Sequence, residues 1–229
     1  MTIVTIEKLR VALSKERLVP YGGESDEIFS VIEKYNENIK LCEAMYPALH
    51  YLEVLLRNHI NNTFEKVFYK DWLLNIPAEF RLPYKNKLKI DEIKEQFFRE
   101  KKKAATHADL VSLLSFGFWC AFFHKKFDPT LWHRKHVLRS IFPYLKLENQ
   151  TRKYIEHRLL RIKMIRNRIA HHERIWGDSG DCYQLYAAYK DCVELICAMS
   201  ESSMYLLKQV DRLPEVYRKV SKKTQPDSS

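Results

Sequence analysis

The chain reads as an all-α protein, a helical bundle with an N-terminal helical extension and additional helices. Three observations predict this. Long stretches carry apolar residues three and four apart, the spacing of one helix face. Glycine is scarce, at five in 229 residues, and two of those are adjacent at Gly22 and Gly23. A sheet protein of this size needs many tight turns, which glycine supplies. Finally, no stretch reads as a paired strand.

Residues 3–18 read as a short helix with Ile6, Leu9 and Leu13 near helical spacing, broken by "VPYGGES". Glu24 or Ser25 then opens a long helical stretch through Ile28, Val31, Ile32, Tyr35, Ile39 and Cys42. Pro47 is expected to interrupt it and to start a new helix at its first turn, running to about Tyr69. "DWLLNIPAEFRLPYK" is an aromatic connector. A charged helix over about 85–102 follows, ending in "REKKK". Thr106 and Asp109 form a capping-box-like pair that starts an apolar helix to about Phe123. Asp128 and Pro129 open another, to Ser140. From Gln150 a helix carries Ile155, Leu159, Ile162 and Ile169 on one stripe, with Arg152, Arg158, Arg161 and Arg168 off it. "WGDSGD" stops it, and a long helix is expected over 182–209. Pro214 marks a short terminal segment before a disordered tail, "SKKTQPDSS". The expected divisions are 1–23 (N-terminal helix and linker), 24–212 (helical domain) and 213–229 (short segment and tail).

Apolar residues make up 46 % of the chain, enough to bury a core, which excludes wholesale disorder. The formal charge of +10 points to polyanionic partners, nucleic acid first and an anionic membrane surface second. A basic surface without a special ligand is the plainer alternative. The five cysteines, Cys42, Cys120, Cys182, Cys192 and Cys197, form no C-x-x-C pair and read as small hydrophobes in a reducing compartment. The N-terminus mixes charges through its apolar residues, unlike a secretory signal. The longest apolar run, 110–123, is fourteen residues, against the ~20 of a spanning helix. The expectation is a cytoplasmic protein without a membrane span.

One stretch, "MIRNRIAHHERIW" at 164–176, concentrates Arg166, Arg168, His171, His172 and Arg174 around Asn167. Positive charge near a helix C-terminus is favourable by ~0.3–1 kcal/mol, and that alone accounts for such a cluster. The alternative is an anion lying against it. RNA cleavage without a metal needs a group to take the proton of the ribose 2′-OH, one to protonate the leaving 5′ oxygen, and charge stabilisation at the phosphate. Imidazole, with an unperturbed pKa of ~6.5, suits the proton steps. The planar fork of arginine suits the phosphate. On an unbroken helix, however, Arg166 and His171 point about 140° apart. Arg168 and His172, four apart, share a face. Either the helix loosens near Ala170, or the motif works across a two-fold interface.

The stretch resembles the signature of the HEPN superfamily, an arginine followed after four to six residues by a histidine. Arg166 and His171 match it, and Asn167 fills the polar position after the arginine. "RNRIAHHERIW", "ALHYLEVLLRNHINNTF" (48–64) and "DLVSLLSFGFWCAFF" together resemble its Abi-like, abortive-infection branch, over about residues 25–210. The resemblance implies a HEPN-like helical bundle and a homodimer. It also implies a metal-independent endoribonuclease of bacterial antiphage defence that leaves 2′,3′-cyclic phosphate and 5′-OH ends. By that resemblance Arg166 and His171 are catalytic: Arg166 holds the phosphate and His171 transfers the proton. Asn167, His172 and Glu53 are supporting or alternative residues, and Arg57, Arg168 and Arg174 bind RNA. No cofactor is implied, and an antitoxin or a small partner RNA is a candidate partner. Because the superfamily has inactive members, a non-catalytic protein that binds a structured RNA is the alternative. A purely structural interaction protein is a third.

Other features have plainer readings. Glu53 and Arg57 are four apart and can form an intrahelical pair. His133 and His136 lack the further ligands a zinc site needs, so no metal is expected. "REKKK" reads equally as a phosphate grip or a solvated face. The aromatic run at 116–123 reads as core, and Trp176 either stacks on a base or pins the helix end.

Overall fold

The computed structural model describes residues 6–22, 27–176 and 181–224. Among the described residues the regular structure is helical throughout: α1 (Ile6–Leu13), α2 (Lys15–Leu18), α3 (Ile28–Val67), α4 (Tyr84–Lys101), α5 (His107–Leu113), α6 (Phe116–Cys120), α7 (Lys135–Ile141), α8 (Arg152–Ala170), α9 (Asp181–Met199), α10 (Glu201–Lys208) and α11 (Leu213–Thr224). Short 3₁₀ and π turns lie between them. The expected helix start at Glu24 or Ser25, the 177–180 part of "WGDSGD" and the tail at 225–229 lie outside the described residues.

The organising element is α3, forty residues long. It packs against α7, α9 and α11, while α8 packs on α9. The expected break at Pro47 does not occur. Proline lacks the N–H that would bond the Glu43 carbonyl four residues back, at a cost of ~3 kcal/mol inside a helix. Here that turn carries exposed Glu43 and Tyr46, so water reaches it. On the other side Leu41, Ala44, Met45, Ala48, Leu49 and Leu52 run through the proline as one buried stripe. Each large side chain so buried contributes about 1.5–3 kcal/mol, and the sum outweighs one lost bond.

The expected helix from Asp128 to Ser140 is split into a π turn, Asp128–Trp132, and α7. Three other boundaries differ from expectation, each for a local reason. The N-terminal helix breaks at Ser14, which sits at φ 71° and caps α2 through its side chain. The apolar run after Thr106 is two helices, because Leu114 turns extended and Ser115 caps α6 by accepting from the Phe118 N–H. The run after Asp181 breaks at Ser200, whose side chain caps α10. Serine competes for backbone donors in this way, which is why it starts helices. The capping box at Thr106 and Asp109 is present as expected.

The C-terminal segment is also more ordered than expected. Residues 213–224 form α11, and Leu213 and Val220 are buried in the main core. A second, smaller cluster of Leu18, Tyr21 and Val31 fastens α2 and the following turn to the start of α3. The aromatic run at 116–123 is core: Trp119 and Phe122 pack edge-on with Trp72, Phe122 also with Phe64, and Phe118 edge-on with Trp119 and Phe122. No described helix is long and apolar enough to cross a membrane.

Candidate functional site

The helix that carries the Arg166 motif is capped by Thr151, which accepts from the Tyr154 N–H, and buries Ile155, Leu159, Ile162 and Ile165. Ile169, expected on the same stripe, is only half-buried. Most of the arginines of α8 are engaged structurally. Arg152 contacts Asp128 at 2.7 Å and Glu156. Arg158 reaches Glu194 at 2.8 Å and Asp191 at 3.5 Å. Arg161 Nε lies 2.8 Å from Asp191 Oδ2, off the line of a true hydrogen bond, so this is a charge contact. Burial pushes the Asp191 carboxyl up, and these two guanidiniums oppose it. The α8–α9 seam is thus an ion-pair network with its charges matched.

Arg166 differs. Among the described residues no carboxylate lies within ion-pair distance of its guanidinium. It lines a cleft of about 380 Å³ between α3 and α8. From α3 this cleft takes Tyr46, His50, Glu53 and Arg57 with the apolar Leu49 and Val54 beside them, and from α8 Arg166, Ile169 and Ala170. Tyr46, His50, Glu53 and Arg57 are spaced four, three and four apart, which places these four within roughly 60° of arc on one helix face. Glu53 and Arg57 do not pair with each other. Arg57 donates to the Ser112 carbonyl at 3.0 Å, and its buried Nε has no partner. Charges of Lys163, Glu53 and Arg166 are all felt at the neighbouring Cys120 thiol, which burial pushes up.

The helix ends at Ala170, immediately after the cleft. The Glu173 N–H donates to the Arg168 carbonyl at 2.8 Å and the His172 N–H to the Ile169 carbonyl at 3.0 Å. This crossed pair is the Schellman arrangement that closes a helix through a left-handed residue. That residue is His172, at φ 57°, where glycine is usual. His171 is the C-cap, its N–H donating to the Asn167 carbonyl at 2.9 Å. Both histidine side chains are exposed. His172 lines a second groove of about 640 Å³, which shares Tyr46 and Ile169 with the first cleft. His171 lines neither.

The turn after the helix is held from two directions. Asn38 of α3 accepts the Ile175 N–H at 2.8 Å and donates to the Glu173 carbonyl at 3.4 Å. Arg17 of α2 donates to the carbonyls of His171 and His172. Arg174 donates to the carbonyls of Trp176 and Pro20 and lies over the rings of Tyr21 and Trp176. Its guanidinium therefore fastens the N-terminal segment to the motif. Trp176 is buried, so it pins the chain after the helix.

The structure brings together Arg166, Glu53 and Arg57 in one cleft. Within a single chain it does not bring His171 into that cleft. Sequence reasoning missed Tyr46 and His50; their spacing with Glu53 and Arg57 was the available signal. His133 and His136 are exposed, and among the described residues no group of three His, Cys, Asp or Glu side chains could hold a metal ion. In "REKKK", Arg99 pairs with Glu95 at 3.9 Å with both side chains about three-quarters exposed, as on a solvated face. Comparison of the chain with protein-family models, with curated proteins and with solved structures gives no match.

Proposed function

We propose that this protein is a metal-independent endoribonuclease of bacterial antiphage defence, acting in the cytoplasm as a homodimer. One observation carries the reading: of Arg152, Arg158, Arg161 and Arg166 on α8, the first three are matched to acids, while Arg166 has no carboxylate partner among the described residues and lines an open cleft. A guanidinium so placed is available for bidentate hydrogen bonds to phosphate oxygens. The sequence resemblance to the Abi-like HEPN proteins supports the same assignment.

In this mechanism Arg166 holds the non-bridging oxygens of the scissile phosphate and Arg57 adds positive charge beside it. An imidazole takes the 2′-OH proton. The 2′ oxygen bonds to phosphorus, the bond from phosphorus to the 5′ oxygen breaks, and the leaving oxygen is protonated. His171, solvent-exposed at the helix end, is the proton-transfer group, and two copies related by a dimer axis supply the two roles. Glu53 orients the base and Asn167 closes the helix end beneath it. The products are a 2′,3′-cyclic phosphate and a 5′-OH. Incubating the protein with end-labelled RNA in a chelator tests this: cyclic-phosphate ends support it, and their absence or a strict need for a divalent ion opposes it. His171→Ala should abolish those ends.

A second reading, a non-catalytic protein that binds a structured partner RNA, is favoured by the position of the His171 side chain outside both clefts. Salt-sensitive RNA binding without new RNA ends would select it.

A further inference from the structure

The cleft and the neighbouring groove adjoin, sharing Tyr46 and Ile169. Tyr35, Ile39, Cys42 and Tyr46 line the groove, and Tyr46, His50, Glu53 and Arg57 line the cleft. On a helix these seven positions fall within roughly 80° of arc and span about 33 Å. Tyr46 stands where the two spaces meet and is 63 % exposed, far more than a tyrosine needed for packing. Its ring faces that of His50, with centroids 6.1 Å apart and planes inclined by 29°. That contact leaves most of the tyrosine open to solvent. The two ends differ in character. The cleft end carries Arg57 and Arg166 against the single carboxylate of Glu53. At the groove end Arg212 is matched by Glu43 at 2.7 Å, leaving a surface that is mainly apolar, with His172 at its edge.

We infer that Tyr46, backed by His50, is a stacking platform for a nucleobase, and that the ligand is single-stranded RNA laid along α3. A base paired in a duplex has no free face to offer, whereas an unpaired base stacks on an exposed aromatic ring. The platform stands between two subsites. The phosphate goes to Arg166 and Arg57 in the cleft, and the nucleotide on the other side of Tyr46 goes to the apolar groove. Charge complementarity favours RNA over a protein helix, since the chain carries +10 overall and two arginines lie within the cleft. This inference rests on the ribonuclease reading for the identity of the polyanion, but it concerns binding alone.

The test uses a single-stranded RNA oligonucleotide fully 2′-O-methylated, which cannot be cut by its own 2′ oxygens, with 2-aminopurine at successive positions. Fluorescence of this base falls when it stacks. The full-length protein should quench the probe at one position. Tyr46→Phe should keep the quenching, and Tyr46→Ala should lose it and bind about 5- to 150-fold more weakly, the range expected for one base–aromatic stack. The duplex form of the same oligonucleotide should compete poorly. Quenching unchanged in Tyr46→Ala overturns the inference. So does a Tyr46→Ala protein that sediments as a monomer where the parent is a dimer, because the face is then an interface between copies. Circular dichroism of each variant establishes that it is folded. Quenching by a protein that never cuts unmodified RNA leaves the platform standing and removes the nuclease; cutting without quenching does the reverse.

Discussion

Arg17 of α2 donates to the backbone carbonyls of both His171 and His172, the two residues that close the helix carrying Arg166. The last carbonyls of a helix lack intrahelical donors and carry the negative end of its dipole. A guanidinium from 154 residues earlier in the chain supplies both the donors and the charge. The N-terminal segment is thereby part of the site's scaffold, although it lies outside the expected helical domain.

Removing this contact should loosen the site before it unfolds the protein. Arg17→Ala should cost about 0.3–1 kcal/mol, the usual worth of a cation at a helix C-terminus. Amide hydrogen exchange should accelerate most at 171–175. Uniform acceleration across α8 would show that Arg17 is not local in its effect.

His172 occupies a left-handed conformation, which favours glycine. His172→Gly should therefore stabilise the protein by about 0.5–1 kcal/mol in urea melts, and His172→Val should destabilise it. Cleavage assays on the pair of histidines then separate their roles. Loss with His171→Ala and persistence with His172→Gly assigns the proton transfer to His171; the opposite pattern assigns it to His172.

Pro47 sits inside a continuous helix. Restoring the missing N–H with Pro47→Ala should raise stability by about 1–3 kcal/mol, reduced somewhat because proline also restricts the unfolded chain. A lower melting midpoint would mean that the proline shapes α3 in a way the rest of the helix depends on.

His59 on α3 is a source of pH-dependent stability just below neutrality. Burial holds its imidazole below the ordinary 6.5, against a hydrogen bond with the Ile141 backbone that acts in the other direction. The unfolded chain therefore binds this proton more readily than the native one. The stabilising effect is complete above about 6.5 and is lost as pH falls from there towards the lower native value. The melting temperature should decline between pH 7 and pH 5 less steeply in His59→Gln than in the parent. Parallel slopes would assign the acid sensitivity elsewhere.

What the sequence revealed and what it concealed divide along a physical line. The capping box at Thr106 and Asp109, the Ile155–Leu159–Ile162 stripe and the aromatic core are local patterns, and all are in the structure. The continuity of α3 through Pro47 was hidden because it depends on what packs against the helix. The matching of Arg158 and Arg161 to Asp191 and Glu194 was hidden for the same reason, since the partners sit on another helix. That matching is what distinguishes Arg166, so the motif was legible while the reason to single out its arginine was not. The anchoring of Arg174 by Pro20 and Trp176 was likewise invisible, and it turns a residue expected to bind RNA into a clasp for the N-terminal segment. Tyr46 and His50 were overlooked although the spacing they share with Glu53 and Arg57 was present, because two polar aromatics on a long helix carry no motif.

The central claim is that the unpaired guanidinium of Arg166 grips the scissile phosphate. Its most direct test is the single-turnover rate of RNA cleavage in Arg166→Ala, measured beside its melting temperature. Because Arg166 makes no ion pair with the described residues, stability should change by no more than about 0.5 kcal/mol. The rate should fall by about 100- to 1,000-fold, the usual effect of deleting one donor to a developing oxyanion. An intact rate in a fully folded Arg166→Ala protein would contradict the account.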